Sequence, residues 1–289
     1  MLDLSHIPNS QQDVRIFNSI SGSNSWQTWN KPRKCNYVYI MCIGGGGGGG
    51  SGASLVTNTV NSGGGSGAVT RALYNAQQLP DTLYVQVGVG GAGGNPAVAG
   101  GAGTRSSVGL QPAVVAQNLV AISGNAAALG GSTDGLGASR AGETAAAQTT
   151  ATFLTLSNFI STAGQASPSY ITLNVTPFTS QVTCAGAPGG WLSPAGSVLS
   201  SSLSPFISGG LNVSASGSRG GDGGSGITSW KPFFSTGGAG GGSSVSGSGG
   251  NGGNGGIGSG GGAGGSCNPP GTPGTGGKGG DGLVVIISF

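Results

Sequence analysis

Charge is scarce in this 289-residue chain: ten Lys and Arg and seven Asp and Glu make up 6% of it, against about 25% in ordinary soluble domains. A net charge of +3 leaves little for an electrostatic footprint on nucleic acid. Only Lys31, Arg33 and Lys34 cluster, and they read as a solvated turn before a strand. There is one histidine, His6, with Asp3 as its only near acid. That is too little for a zinc site or a serine triad. The acids Asp3, Asp13, Asp81, Asp134, Glu143, Asp222 and Asp281 are scattered, which argues against the paired carboxylates of a glycosidase. Proline occupies only 14 positions, too few for a collagen helix. The longest apolar runs, Tyr37–Ile43 and Leu283–Ile287, fall far short of the roughly 20 residues of a membrane helix. Met1–Ser5 has no basic region followed by an apolar stretch, so no secretory signal is expected. Cys35, Cys42, Cys184 and Cys267 form no Cys-x-x-Cys and are expected to be buried thiols in a protein made in the cytoplasm.

Glycine is what the chain has instead, 66 residues or about 23%, against about 7% normally. It is not spread evenly. The apolar stretch Asn36–Ile43 runs directly into Gly44–Gly50, and Thr82–Val87 into Gly88–Gly94. Leu283–Ile287 emerges from Gly279–Gly282. With Val14–Phe17 and Trp26–Trp29 these stretches carry strand signatures, and the almost wholly apolar Asn36–Ile43 is expected to be covered on both faces.

The glycine tracts have a period of three. Residues 249, 252, 255, 258, 261 and 264 are all Gly, as are 217, 220, 223 and 226, and Gly88, Gly91, Gly94, Gly100 and Gly103 hold one phase. Three residues per turn is the repeat of the extended left-handed helix of polyproline II type, which has no internal hydrogen bonds. Its amides and carbonyls must find partners on neighbouring helices, and at that spacing only Gly fits the contact positions. Gly-Gly-x strings then pack on two faces and turn x outward. Arg219, Asp222, Asn251, Asn254, Lys278 and Asp281 all stand at x, whereas Gly44–Gly50, without any x, belongs at the centre. A flexible linker needs no such phase.

These features predict a mainly β protein: a jelly-roll-like β-sandwich joined to a bundle of polyglycine II helices, with little or no α-helix. Residues 1–43 supply the first sandwich strands, and 44–103 the first glycine tracts with a second sandwich segment. Residues 104–216 are Ala/Ser/Thr-rich excursions, 217–282 the polyglycine bundle, and 283–289 a C-terminal strand closing the sandwich. Within the excursions, Arg140–Thr150 leading to Phe153–Ile160 has the composition of a short helix, and Tyr170–Val175 that of a strand.

Gly88-Val-Gly90-Gly-Ala-Gly93 matches the dinucleotide fingerprint, but glycine and proline follow it where a helix is needed, and no acid appears before Asp134. Lys278 fails as a phosphate-loop lysine because Gly279 stands where Ser or Thr must hold magnesium. No enzyme activity, cofactor or metal is expected. The residues most suited to contact a partner are aromatics in segments bounded by glycine tracts: Trp191, Trp230, Phe233 and Phe234, with Tyr170 beside them as a fifth candidate. The alternative for each is that it plugs the bundle against the sandwich.

The order of Trp26–Trp29, Lys31-Pro32, an apolar strand into polyglycine, Leu79-Pro80 leading to Val85–Gly94, and the terminal Gly280-Asp-Gly-Leu-Val-Val-Ile286 resembles the glycine-rich domains of bacteriophage tail fibre and adhesin proteins. The resemblance covers about 36–103 and 217–289 well, and 104–216 loosely. It implies a polyglycine II bundle on a β-sandwich, a homo-oligomer (a trimer), and distal loops that touch the host surface. A related layout, glycine helices inserted in a jelly-roll-like sandwich, occurs in the glycine-rich domain of certain receptor kinases. The expected role is a non-enzymatic virion protein that binds a host cell-surface glycan or outer-membrane protein and assembles with other tail or capsid proteins. Two alternatives stand beside it: a structural tail or capsid decoration protein without a receptor, and an ice-binding polyglycine bundle.

Overall fold

A computed structural model describes residues 13–20, 22–54, 61–112, 120–124, 157–162, 182–192, 198–199, 207–211 and 217–289. Thirteen strands occur among them. β1 (Asp13–Phe17), β2 (Trp26–Asn30), β3 (Tyr37–Ile43), β4 (Val69–Asn75) and β5 (Thr82–Gln86) come first. They are followed by β6 (Ser106–Gly109), β7 (Val120–Gly124), β8 (Ser157–Thr162), β9 (Trp191–Leu192) and β10 (Val198–Leu199). β11 (Thr228–Trp230), β12 (Phe233–Ser235) and β13 (Leu283–Ser288) complete the set. Among the described residues the only helical element is the 3-10 turn Ala76–Gln78, capped by the Asn75 side chain on the Gln77 N–H at 2.9 Å. The fold is mainly β, as the composition predicts.

Two antiparallel sheets make the sandwich. One has the order β1-β13-β3-β4-β8 and the other β2-β5-β6-β7. Val38, Ile40, Cys42, Ala72, Tyr74, Val284 and Ile286 from the first sheet meet Trp29, Leu83, Val85 and Val108 from the second in one buried cluster. The C-terminal strand therefore lies inside its sheet, between β1 and β3, rather than at an edge. The unbroken apolar run of β3 is explained by a second cluster on the outer face, where Met41, Ile43, Val69, Leu283, Val285 and Ile287 are covered by Val182, Phe233 and Ile257. Burial on both faces removes the reason for a polar alternation.

The glycine tracts leave the sandwich at one end and form the bundle. Gly44, Gly47 and Gly50 donate their N–H groups to the oxygens of Ala68, Gly65 and Ser62; Gly45, Gly48 and Ser51 to Thr104, Gly101 and Val98; Gly46, Gly49 and Gly52 to Gly280, Gly277 and Gly274. Each set steps by three residues, so the central rod turns its amides to three neighbours in rotation. Its carbonyls accept from others: Gly47 and Gly50 from Gly261 and Gly264, Gly46 and Gly49 from Gly91 and Gly94. Every residue of Gly44–Gly50 is buried. The described glycines with positive φ are Gly22, Gly217 and Gly258, all at turns. The rods themselves use the negative-φ conformation that a left-handed threefold helix requires.

At the bundle edge the x residues act as carbonyl substitutes. Asn251 Oδ1 accepts from the Thr275 N–H and hydroxyl, both at 3.0 Å, and Asn254 Oδ1 from the Lys278 N–H at 2.8 Å. Asp222 Oδ1 accepts from the Asn251 N–H at 2.6 Å. An outer rod has no further rod to receive its amides, and a short Asn or Asp side chain supplies the missing acceptor. Along a rod, Arg219 pairs with Asp222 and Lys278 with Asp281, one turn apart.

The 104–216 segment contributes more than excursions. It provides β6, β7 and β8 to the sandwich, and residues 184–190 form a fully buried rod bonded to Gly64, Gly238 and Gly241. Ser157–Thr162, at the end of the stretch with helical composition, is a strand paired with β4. The preceding 140–156 and Tyr170–Val175 lie outside the described residues.

Asp281 ties three segments together and sets an acid sensitivity. It accepts from Ser19 Oγ at 2.5 Å, from the Gly90 N–H at 2.9 Å and from Lys278 Nζ at 3.0 Å. Burial alone would raise its pKa, but the Ser19, Gly90 and Lys278 contacts outweigh it and hold the carboxyl below its ordinary value. A group depressed in the folded state adds stability that is complete above the unfolded pKa of about 3.9 and is lost as pH falls through the folded value. Asp281→Asn is expected to lower the melting temperature at neutral pH, with the gap to the parent closing below about pH 4. A gap that persists unchanged at the lowest pH contradicts the assignment.

The cysteines are free thiols. Cys42, Cys184 and Cys267 are buried; Cys35 is only half-buried, with its Sγ 3.1 Å from the Pro32 oxygen, so the expectation of four buried thiols holds for three. Burial pushes the Cys184 thiol up to about 11, which leaves little reactive thiolate at neutral pH. A chromogenic disulfide reagent is expected to titrate Cys35 in the native protein and all 4 cysteines only after unfolding. Fast native reaction of more than one thiol would contradict this.

Candidate functional site

The segment 228–235 is a β-hairpin rather than a loop. β11 and β12 pair antiparallel, with Trp230 opposite Phe233 and Ser229 opposite Phe234. Lys231 and Pro232 make the turn, and Thr228 and Ser235 hydroxyls bond across the base at 3.1 Å. The two ends are tied to the bundle. The Ser235 N–H donates to Val182, the Gly256 N–H donates to the Thr236 oxygen, and the Ile257 N–H donates to Thr228 Oγ1 at 3.1 Å.

The aromatic side chains on this hairpin differ in their surroundings. Phe233 packs against the outer cluster of the five-stranded sheet and plugs the junction of sandwich and bundle. Trp230 leans on Phe233, ring centroids 5.6 Å apart at 57°, yet is 51% exposed. Phe234 is half-buried. One ring anchors and the other is displayed, so the exposed indole is held on a rigid mount.

Trp191 is placed elsewhere. The rod 184–190 starts beside Ser259, next to the sandwich, and ends at Gly190, whose N–H bonds Gly241. At about 3.1 Å per residue this carries Trp191 roughly 20 Å from the junction, to the far end of the bundle. Trp191 and Trp230 thus mark opposite ends. Tyr170 lies outside the described residues. The far end also carries the exposed Pro269-Pro270 turn, which the sequence reading did not single out; proline between glycine rods was its signal.

Among the described residues no group of three or more His, Cys, Asp or Glu comes together, and none of their helices is long and apolar enough to cross a membrane. A cavity lies at the sandwich end remote from the bundle, beside the Lys31–Cys35 turn. Compared with known proteins, the chain matches the model of the glycine-rich domain over residues 20–288. No curated protein matches it.

Proposed function

The chain belongs to the glycine-rich domain family, and from that premise we propose that it is a non-enzymatic bacteriophage virion protein, a tail fibre or adhesin that binds the host cell surface. The observation that carries the reading is the half-exposed Trp230 on a hairpin anchored by Phe233. An indole of this kind offers a large apolar face with a polar edge, suited to a sugar ring or a protein pocket. The bundle gives it a stiff base, since rods bonded on several sides cannot bend separately, and preorganisation lowers the entropic cost of attachment. The exposed turn at 269–270 presents a second set of groups at the far end. The partner is a cell-surface glycan or an outer-membrane protein loop.

A second reading, an architectural tail or capsid protein, draws on a different surface. Val14 and Ile16 on the edge strand β1 extend the outer apolar face of the sheet and are 47% and 49% exposed. That edge suits other copies of the chain or another virion protein. The two readings separate in one experiment. Purified, fluorescently labelled protein is incubated with host bacteria, and binding is followed to saturation. Saturable binding that blocks virus adsorption is expected; a folded protein that ignores cells but attaches to virus particles refutes the adhesin reading in favour of the architectural one.

A further inference from the structure

The cluster Lys31, Arg33 and Lys34, set aside in the sequence as a solvated turn, lines a cavity of about 470 Å³. Its other walls include the 3-10 turn at Gln77, Asp81 and the first residue of β5, Thr82. Cavities that hold small ligands run from about 300 to 1,000 Å³, so the size is suitable.

The charges in the cavity do not cancel. Lys31 is spent on the fold: its Nζ donates to the Ala76 and Leu79 oxygens at 3.0 and 2.7 Å and pairs with Asp81 at 3.1 Å. Asp81, the only acid of the lining, is thereby committed to Lys31. Arg33 and Lys34 are exposed and make no hydrogen bond or ion pair among the described residues. Three cations against one carboxylate leave a formal charge of about +2 over the cavity. The turn that presents them is fixed at both ends. The Lys31 N–H bonds Asp81 at 2.7 Å, the Asn36 N–H bonds Phe289 at 2.8 Å, and the Asn36 oxygen accepts from Ala76 at 2.9 Å. Lys34 itself is held at φ 69, a conformation that a side chain adopts only under constraint. The side-chain amide of Gln77 adds neutral hydrogen-bonding capacity to the rim.

We propose that this cavity binds a phosphate monoester. Such a group carries nearly two negative charges at neutral pH and three acceptor oxygens, which matches two uncommitted cations; a single carboxylate would leave one unanswered. The Arg33 fork takes two oxygens and Lys34 acts as a point charge on the third. A bare phosphate fills only part of a cavity in the size range of small-ligand sites. The remainder is room for an attached sugar.

The test is calorimetric titration of the full chain at low salt with inorganic phosphate, glucose 1-phosphate and dimethyl phosphate, the last carrying one charge. Saturable binding of glucose 1-phosphate is expected, at least tenfold tighter than dimethyl phosphate and weakened by added salt. Arg33→Gln and Lys34→Gly are each expected to weaken it about tenfold. Lys34→Gly keeps the turn, since glycine is at ease at this φ, and unchanged melting temperatures will confirm that both variants are folded. Arg219→Gln, an equal charge change on the exposed bundle edge outside the cavity, should leave binding intact. Equal affinity for inorganic phosphate and glucose 1-phosphate supports the anion site and assigns it to free phosphate. Absence of saturable binding at millimolar concentration, or binding that survives both substitutions, overturns the proposal.

Discussion

Replacing Gly48 with alanine is expected to abolish the folded protein, whereas replacing Asn254 with alanine, in a rod of the same bundle, is expected to leave it folded. A Cβ on Gly48 would sit inside the van der Waals envelope of the Ala92 carbonyl oxygen and close on its carbon at 2.5 Å. Those atoms are backbone and belong to a rod bonded elsewhere, since the Gly91, Gly94 and Ala92 oxygens accept from Gly279, Gly276 and Gly101. The central rod cannot retreat in the other direction either. Gly47 is held to Gly65 and Gly49 to Gly277, and a Cβ on Gly49 would strike the Gly262 carbonyl. Relief of one clash therefore breaks several buried backbone bonds, each worth about 1–3 kcal/mol when left unmade. The sum passes the roughly 4–5 kcal/mol that marks an exceptional substitution, and it approaches the whole stability of a typical domain, about 5–15 kcal/mol. Asn254 is exposed and gives up one bond, from the Lys278 N–H at 2.8 Å, which water can replace. A loss of about 0.5–1.5 kcal/mol follows. Scanning calorimetry on the soluble fraction separates the two, and a Gly48→Ala protein melting within a few degrees of the parent would falsify the packed-rod account.

The contrast between those two residues also shows why so much of the bundle was legible. Close packing of rods imposes a local rule, Gly at two positions of three, and a local rule leaves a periodic trace in the sequence. The outward placement of Arg219, Asp222, Asn254 and Lys278 followed from the same rule and is what the structure has, whereas Asn251 and Asp281, also at x, are half-buried by the contacts that their side chains make. The apolar runs of β3 and β13 were equally plain, because burial on both faces erases alternation. β4 was hidden. Its sequence Val-Thr-Arg-Ala-Leu-Tyr-Asn mixes polar and apolar residues, and its inner face is filled by Thr70, Ala72 and Tyr74, whose fit depends on strands distant in the chain. The rod 184–190 keeps phase only through Gly186 and Gly189, with Ala185 and Ala187 occupying gaps wide enough for a methyl group. Positions along the bundle could not be read at all. Whether a tract runs toward or away from the sandwich is decided by its hydrogen-bond partners, so composition could not place Trp191 and Trp230 at opposite ends. The difference in burial between Trp230 and Phe233 is likewise set by the outer sheet face, which neither residue's neighbours in sequence reveal.

That difference yields the largest expected effect on binding. Trp230→Ala should weaken attachment to host cells about 30-fold or more, the range of a contact residue worth at least about 2 kcal/mol, with a melting temperature close to the parent's because half of the side chain is already in water. Phe233→Ala should do the reverse in the first instance. Phe233 is partly buried against the cluster of Met41, Val285 and Ile287, so its truncation leaves a cavity and costs about 2–3 kcal/mol, less than the 3–5 typical of a fully enclosed ring. Binding by Phe233→Ala should also fall, because the ring against which Trp230 rests at 5.6 Å is gone. The pair therefore has a signature: one variant loses binding without stability, the other loses both. Saturation binding to cells, run beside thermal melts, reads it directly. If Trp230→Ala attaches as well as the parent, the hairpin is a seal between sandwich and bundle and nothing more. The search for a cell contact then moves to Trp191 and the turn at Pro269-Pro270, at the far end of the rods.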